Sequence, residues 1–427
     1  MLTRRWNVKV RVDGRMKEVM SGVEGIDIPT IKGFSPDGKS LWIAMGDNGS
    51  VVYRPISLVD GKLGDPIADA NGRELSENLR TGRVMLGTSS DVRERTTFYD
   101  ERLASDWETI ERQFPDSKLR FVAASDDANR VVFESFDYLS SPAYLLYDAA
   151  RGSLLTIASA YQGLPVLGET RVLQYAAADG LKIPAVLALP RAVAAQNLPL
   201  IVLVHGGPEA HDSDGFDWWS EALVAQGYAV LRANYRGSDS SAELFTAGFG
   251  QWGRKMQSDL SDGVAMLVRA GLVDSSRVCI VGASYGGYAA LAGITLQSGI
   301  YRCAVSVSGI ADLDLEFGTG SSFYPSQRYI DRYLGTDGRT RSVLQELSPI
   351  NHVAAVTAPL LLVHGRNDGV VHYLQSERMA KAMKSAGKPV EFVTLPGEDH
   401  WLSRSDTRLQ MLQAVVAFLR AHNPPGN

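Results

Sequence analysis

From about residue 170 onward the chain alternates short, continuous apolar runs with longer stretches whose apolar positions recur at helical spacing, and this alternation limits the fold more than any other feature. The apolar runs are 200–204, 228–233, 277–281, 303–308, 359–363 and 390–395. Strands covered by helices on both faces read as unbroken apolar segments, whereas strands with a wet face alternate. The stretches 258–270, 285–297, 373–385 and 407–421 supply the covering helices. Such a series predicts an α/β fold with a doubly wound, mostly parallel sheet over residues 170–427. In sheets of that kind functional residues gather beyond the carboxyl ends of the strands.

Residues 1–165 lack this series and read as all-β. Ser35-Pro-Asp-Gly-Lys-Ser40 followed by Leu41-Trp-Ile-Ala44 is a tight turn and then a strand, and Ser125-Asp-Asp-Ala-Asn-Arg130 followed by Val131-Val-Phe-Glu134 repeats it. The copies lie about 90 residues apart, two periods of a ~40 to 45 residue blade. They predict two blades of a β-propeller-like region. A closed propeller usually needs at least ~4 blades, and the polar stretch 93–112 has poor strand character, so the propeller is expected to be incomplete. The chain of 427 residues also exceeds what one core supports, about 250 to 300 residues, which predicts two domains. With the propeller incomplete and no obvious cap preceding its first blade, the chain is expected to be the C-terminal part of a longer architecture.

A net charge of −5 leaves no basic face for a phosphate backbone, so nucleic acid is not an expected partner. The apolar runs are far shorter than the ~20 residues that cross a bilayer, and no membrane association is expected. Met1-Leu-Thr-Arg-Arg-Trp6 is followed by no apolar run, so a cytoplasmic location is the default expectation unless the N-terminus is truncated. A homo-oligomer is compatible with everything read here. Cys279 and Cys303 both sit in β-branched apolar runs and are expected as two reduced core thiols.

Chemistry concentrates in three places. Gly282-Ala283-Ser284-Tyr285-Gly286-Gly287 follows the apolar run Val278-Cys-Ile-Val281 and precedes Tyr288-Ala-Ala-Leu-Ala-Gly293, a strand-turn-helix context. A turn sharp enough to expose a serine hydroxyl needs small residues two before and two after it, and Gly282 and Gly286 meet that need. A hydroxyl is a poor nucleophile near neutral pH, so Ser284 requires a base and an acid to orient that base. The run 359–363 leads into His364-Gly-Arg-Asn-Asp368, and the run 390–395 leads into Gly397-Glu-Asp-His400. Serine, acid and histidine then follow in chain order, with Asp368 as the acid and His400 as the base. His364 and His372 compete for the base and Asp312 and Asp314 for the acid, each from a less suitable junction. Glu398 and Asp399 read as solvated loop charges. Backbone N–H groups of Tyr285 and of Gly207, in His205-Gly-Gly-Pro208, are the expected donors to an oxyanion. Phe323, Tyr324 and Tyr329, with Tyr333, are candidates for a substrate pocket. No metal-ligand spacing or nucleotide fingerprint appears, and the chemistry needs no cofactor.

Taken together, His205-Gly-Gly-Pro208, Asn234-Tyr-Arg-Gly-Ser238, Gly282-Ala-Ser-Tyr-Gly-Gly-Tyr288, Ser348-Pro-Ile-Asn351, Val363-His-Gly-Arg-Asn-Asp368 and Gly397-Glu-Asp-His400 resemble the prolyl oligopeptidase family of serine peptidases. The acylaminoacyl-peptidase and dipeptidyl-peptidase-like members are the nearest in kind. The resemblance implies a propeller before an α/β-hydrolase domain. It also implies cleavage of short peptides through an acyl-enzyme, with Ser284, Asp368 and His400 in the triad roles. Two departures stand out. Some members carry an arginine two residues after the acid, where this chain has Val370, and no paired-glutamate motif for a free amino terminus is visible in the N-terminal region. A carboxylesterase or lipase-like hydrolase would share the triad, and a non-enzymatic binding scaffold could retain the fold.

Overall fold

The computed structural model describes residues 5–12, 14–23, 28–47, 50–136, 142–162, 164, 168–191, 194–317, 332–335 and 340–425. The chain divides into two compact units, Met1–Val166 and Leu167–Asn427.

The first unit is built from local antiparallel pairings. Strands β1 (Arg5–Val12) and β2 (Arg15–Val23) form a hairpin, and β3 (Thr30–Phe34), β4 (Ser40–Asp47) and β5 (Ser50–Ser57) form a three-stranded meander. A second meander follows, of β6 (Arg73–Glu77), β7 (Val84–Ser89) and β8 (Thr96–Phe98). The third sheet holds β9 (Lys118–Ala124), β10 (Arg130–Phe136), β11 (Ala143–Asp148) and β12 (Ser153–Ser159) in the order β12-β11-β10-β9.

The two turn copies share one hydrogen-bond pattern. The Ser35 hydroxyl donates to Asp37 and accepts from Ser40 N–H, while Asp37 accepts from Lys39 N–H. Ser125, Asp127, Asn129 and Arg130 repeat every one of these bonds. The fourth residue of each turn is left-handed, Gly38 at φ 72° and Ala128 at φ 54°. One complete meander, β6 to β8, separates the copies, which accounts for their spacing of two blade periods. The polar stretch 93–112 is not only loop. It contains helix α1 (Glu101–Glu111), capped by the Asp100 side chain on Arg102 and Leu103 N–H, and buries Leu103, Trp107 and Ile110. Those apolar positions at spacings of four and three lie on one helical stripe, whose Trp107 packs edge-on against Phe133 of β10.

In the second unit eight strands form one sheet in the order β13-β14-β16-β15-β17-β18-β19-β20. They are β13 (Glu169–Ala176), β14 (Lys182–Leu189), β15 (Leu198–Val204), β16 (Ala229–Ala233), β17 (Val273–Ala283), β18 (Cys303–Val307), β19 (Leu360–Gly365) and β20 (Val390–Leu395). The pairings β13·β14 and β14·β16 are antiparallel, and all the others are parallel.

Period-two alternation sorts each central strand between two cores. Leu200, Val202, Val204, Val278 and Ile280 face one core, while Ile201, Leu203, Cys279 and Val281 face the other. The first core is covered by α4 (Lys255–Arg269), α5 (Tyr285–Thr295) and a helix at Leu374–Ser385, the second by α2 (Trp218–Val224) and a helix at Ser405–His422; between α2 and α4 lies the short α3 (Ala242–Ala247). With helices on both sides, the strands can be apolar at every position.

The cysteines correct an expectation. Cys279 and Cys303 form a disulfide with Cα atoms 4.8 Å apart rather than two separate thiols. They are register partners on adjacent parallel strands, so both side chains leave the same face of the sheet side by side.

Candidate active site

Strands β17, β19 and β20 run parallel, so the segments after their carboxyl ends leave the sheet at one edge. Ser284 follows β17, Asp368 follows β19 and His400 follows β20.

The turn at Ser284 is enforced by close packing. Ser284 holds φ 59° and ψ −121°, a backbone conformation that a side-chain-bearing residue rarely adopts, and its side chain makes no capping bond to α5. A Cβ on Gly286 would lie 2.0 Å from Val204 O, and one on Gly282 would lie 2.4 Å from the Gly286 carbonyl carbon. The two glycines are what allow β17 to reverse into α5 within one residue. Tyr285 opens α5, so its N–H belongs to the unpaired first turn, where the helix dipole favours negative charge.

The His205-Gly206-Gly207 turn lies over this elbow, because a Cβ on Gly206 would sit 3.9 Å from Ser284 Oγ. Gly207 is at φ 110°, and a side chain there would meet the N–H groups of Glu209 and Ala210. Tyr235 ties turn to elbow. Its ring stacks on His205 at 4.4 Å and on Tyr285 at 5.4 Å, and its hydroxyl donates to His205 O at 3.1 Å. Arg236, next in the chain, is buried and bonds the carboxylates of Asp259 and Asp179.

Asp368 and His400 are in direct contact. His400 Nδ1 lies 2.8 Å from Asp368 Oδ2, and because a carboxylate only accepts, Nδ1 carries the proton and Nε2 is left as the basic nitrogen. Asp368 Oδ1 accepts from Val370 N–H at 2.9 Å and Val371 N–H at 2.8 Å. Burial alone would raise this carboxyl, but hydrogen bonds from His364 and His400 outweigh it and hold Asp368 well below the ordinary carboxylate range. The two loops are also joined by Arg366 N–H to Leu395 O and Asn367 N–H to Glu398 O.

Glu398 is the second correction. It is fully buried rather than solvated, accepting from Asp399 N–H, from Arg404 N–H at 3.4 Å and from the Thr407 hydroxyl at the start of the helix Ser405–His422. A carboxylate there is favoured by the helix dipole and anchors the loop that carries His400. Asp399 is half-buried and accepts from Trp401 N–H and the Ser403 hydroxyl.

The competing residues have other partners. His372 Nδ1 accepts from Leu374 N–H. Asp312 accepts from Asp314 and Leu315 N–H at the head of α6 (Leu313–Phe317) and pairs with Arg378. His364 is completely buried and its Nε2 lies 3.3 Å from Asp368 Oδ2, the oxygen that also contacts His400. Phe323, Tyr324 and Tyr329 lie outside the described residues, and Tyr333 is buried edge-on against Phe245 and Phe249. Sequence reasoning missed Glu316 of α6. It is 8% exposed, accepts from Gln375 Nε2 at 3.1 Å and lies within the electrostatic reach of Asp368 and His400. Among the described residues no cluster of His, Cys, Asp or Glu could hold a metal ion, and no helix is long and apolar enough to cross a membrane.

Residues 214–423, which carry Ser284, Asp368 and His400, match the prolyl oligopeptidase family. Those residues thus form a prolyl oligopeptidase family domain. The chain is 31% identical over 409 residues to dipeptidyl aminopeptidase BIII of Pseudoxanthomonas mexicana, an alignment covering 91% of this chain and 58% of that protein. The chain thus spans a little over half the length of this curated relative. Two solved structures share the fold at lower identity. A puromycin-hydrolyzing peptidase of Mycobacterium tuberculosis superposes with TM-score 0.74 at 23% identity, covering 96% of this chain and 64% of that one. The acylaminoacyl peptidase of Pyrococcus horikoshii gives 0.74 at 18% identity, covering 100% and 68%.

Proposed function

We propose that this chain is a serine-type peptidase that hydrolyses short peptides through an acyl-enzyme, with Ser284 as nucleophile, His400 as general base and Asp368 as the acid that orients it. One observation carries the reading: the 2.8 Å contact between Asp368 and His400 Nδ1, at the sheet edge from which the strained Ser284 turn also departs. In this reading His400 Nε2 takes the Ser284 proton as Oγ attacks the scissile carbonyl. The N–H groups of Tyr285 and Gly207 receive the developing oxyanion. Collapse of the tetrahedral intermediate breaks the C–N bond, and His400 returns the proton to the leaving amine. A water then repeats the sequence on the acyl-enzyme, releasing the acid and restoring Ser284.

The family domain and the peptidase names of the relatives favour peptides over simple esters. Val370, where some members place an arginine, offers no cation for a substrate carbonyl, so positioning of the substrate falls to other groups. The test is labelling with a fluorophosphonate probe, followed by turnover of matched chromogenic amides and esters, with Ser284→Ala as control. Labelling at Ser284 with efficient amide cleavage is the expected result. Ester cleavage alone would replace the peptidase reading by an esterase, and an unlabelled wild type would remove the enzymatic reading.

A further inference from the structure

Asp368 holds two imidazoles on one oxygen. Besides His400 Nδ1 at 2.8 Å, Oδ2 lies 3.3 Å from Nε2 of His364, the next-to-last residue of β19. His364 Nε2 is also 2.9 Å from Val371 O. Both neighbours are acceptors only, one a backbone carbonyl and the other a carboxylate held ionised, so Nε2 carries a proton, bonded to Val371 O at 2.9 Å with Asp368 Oδ2 as the longer second contact at 3.3 Å. The other ring nitrogen, Nδ1, lies 2.8 Å from the Ser376 hydroxyl, which can donate. Nε2 is thus the nitrogen that donates toward Val371 and Asp368, and the ring is fixed at both ends and enclosed, with His364 and Ser376 both buried. The Tyr373 ring lies edge-on at 5.6 Å and limits rotation.

We propose that His364 is a positioning residue for the Asp368–His400 pair, donating Nε2–H to the carboxylate oxygen that holds the base and so setting both the direction and the strength of its grip. The inference rests on the assignment of Asp368 and His400 above. An oxygen that accepts two donors gives less to each than an oxygen that accepts one, so His364 draws carboxylate charge away from His400. It also restrains the carboxylate opposite the two N–H bonds from Val370 and Val371. Removing the donor leaves the charge to His400 alone, which favours its protonated form, while the carboxylate gains freedom to swing. The ionisable groups around the pair are Glu316 from α6, Tyr373 from the segment before the helix Leu374–Ser385, and Arg366, stacked on Tyr373 from the β19 loop.

Three variants of the full chain test this: His364→Leu, which keeps bulk and loses the donor; His364→Gln, whose amide N–H can replace Nε2–H; and Ser376→Ala, which releases the tautomer. Turnover is measured from about pH 5 to about pH 9. In His364→Leu, kcat is expected to fall about 10- to 100-fold with KM within about 2-fold, and the acidic limb of the rate profile should move upward. His364→Gln should recover most of the rate, and Ser376→Ala should fall between. Wild-type kcat and an unmoved limb in His364→Leu, or equal losses in the Leu and Gln variants, would overturn the proposal. If His364→Leu does not fold, the other two decide: Ser376→Ala at the wild-type rate overturns it, and a selective fall in kcat with His364→Gln near wild type supports it. An unlabelled wild type indicts the functional assignment instead. Proton NMR of histidine-labelled protein then reads the His400 Nδ1–H signal directly: a signal shifted in Ser376→Ala supports the sharing, and an identical one excludes it.

Discussion

Replacing Glu316 by glutamine removes a proton-binding group that the fold holds in an unfavourable place, and the cost of that place can be worked from its surroundings. Burial first, and then the charge of Asp368, push this carboxyl from 4.5 up to about 7, against the opposing hydrogen bond from Gln375. Its value in the folded state is raised, so its stabilising contribution is complete below about pH 4.5 and is lost as pH rises to about 7. A gap of roughly 2.5 pH units, at about 1.36 kcal/mol each, amounts to about 3 kcal/mol. Glutamine keeps an oxygen for Gln375 Nε2 and never ionises. The stability of Glu316→Gln minus that of wild type should therefore grow by about 3 kcal/mol between about pH 4.5 and pH 8. Asp217 and Glu221, raised by burial, slope both profiles alike, and Asp368, held low, is ionised throughout this range, so the difference isolates position 316. Urea denaturation of both proteins across that range is the assay. A difference constant to within about 0.5 kcal/mol would refute the claim that Glu316 is buried beside the Asp368 charge.

Asp368→Asn keeps the shape of the acid but not its charge, and kcat should fall by about four orders of magnitude with the chain still folded; unchanged kinetics would move the orienting role elsewhere. The disulfide closes a separation of 24 residues, for which chain entropy gives about 3.5 kcal/mol of stabilisation. The unfolded, unreduced protein should take up no alkylating reagent and should take up two equivalents per chain after reduction, and labelling before reduction would contradict the pairing.

How much of this could be read in the residues depends on whether the information is local. The Ser284 elbow is local: the glycines at 282 and 286 answer a steric demand within five residues, and the strand before and the helix after are each visible in their own composition. Five of the six parallel strands are legible for the same reason, since burial on both faces leaves an apolar run that needs no partner to be recognised, and the edge strand β20 is read from its apolar positions although only Leu395 is buried. The edge strand β13 went unread because Glu169–Ala176 mixes exposed and half-buried positions with a single buried residue, Tyr175, whereas β14, buried at six of its eight positions, was missed although its run is apolar.

What was misread depends on register and on distant partners. Periodicity places Cys279 and Cys303 in strands, but only the pairing of β17 with β18 sets them side by side on one face. Glu398 looks solvated in Gly397-Glu-Asp-His400 and is buried because Thr407 and Arg404 bring a helix start to it. His364 could be weighed in sequence only as a rival base. Its two nitrogens are committed by Ser376 and Val371, residues twelve and seven positions onward whose meeting depends on how the chain turns after β19. The same turn brings Val370 and Val371 N–H to the other oxygen of Asp368, so a single loop conformation fixes three of the four donors on the acid. The fourth is His400, which arrives from a different strand. On the proposed assignment, the orientation of His400 as base is thus decided by a carboxylate already locked in place by its own loop, and a substitution that loosens the loop should damage turnover more than it damages binding.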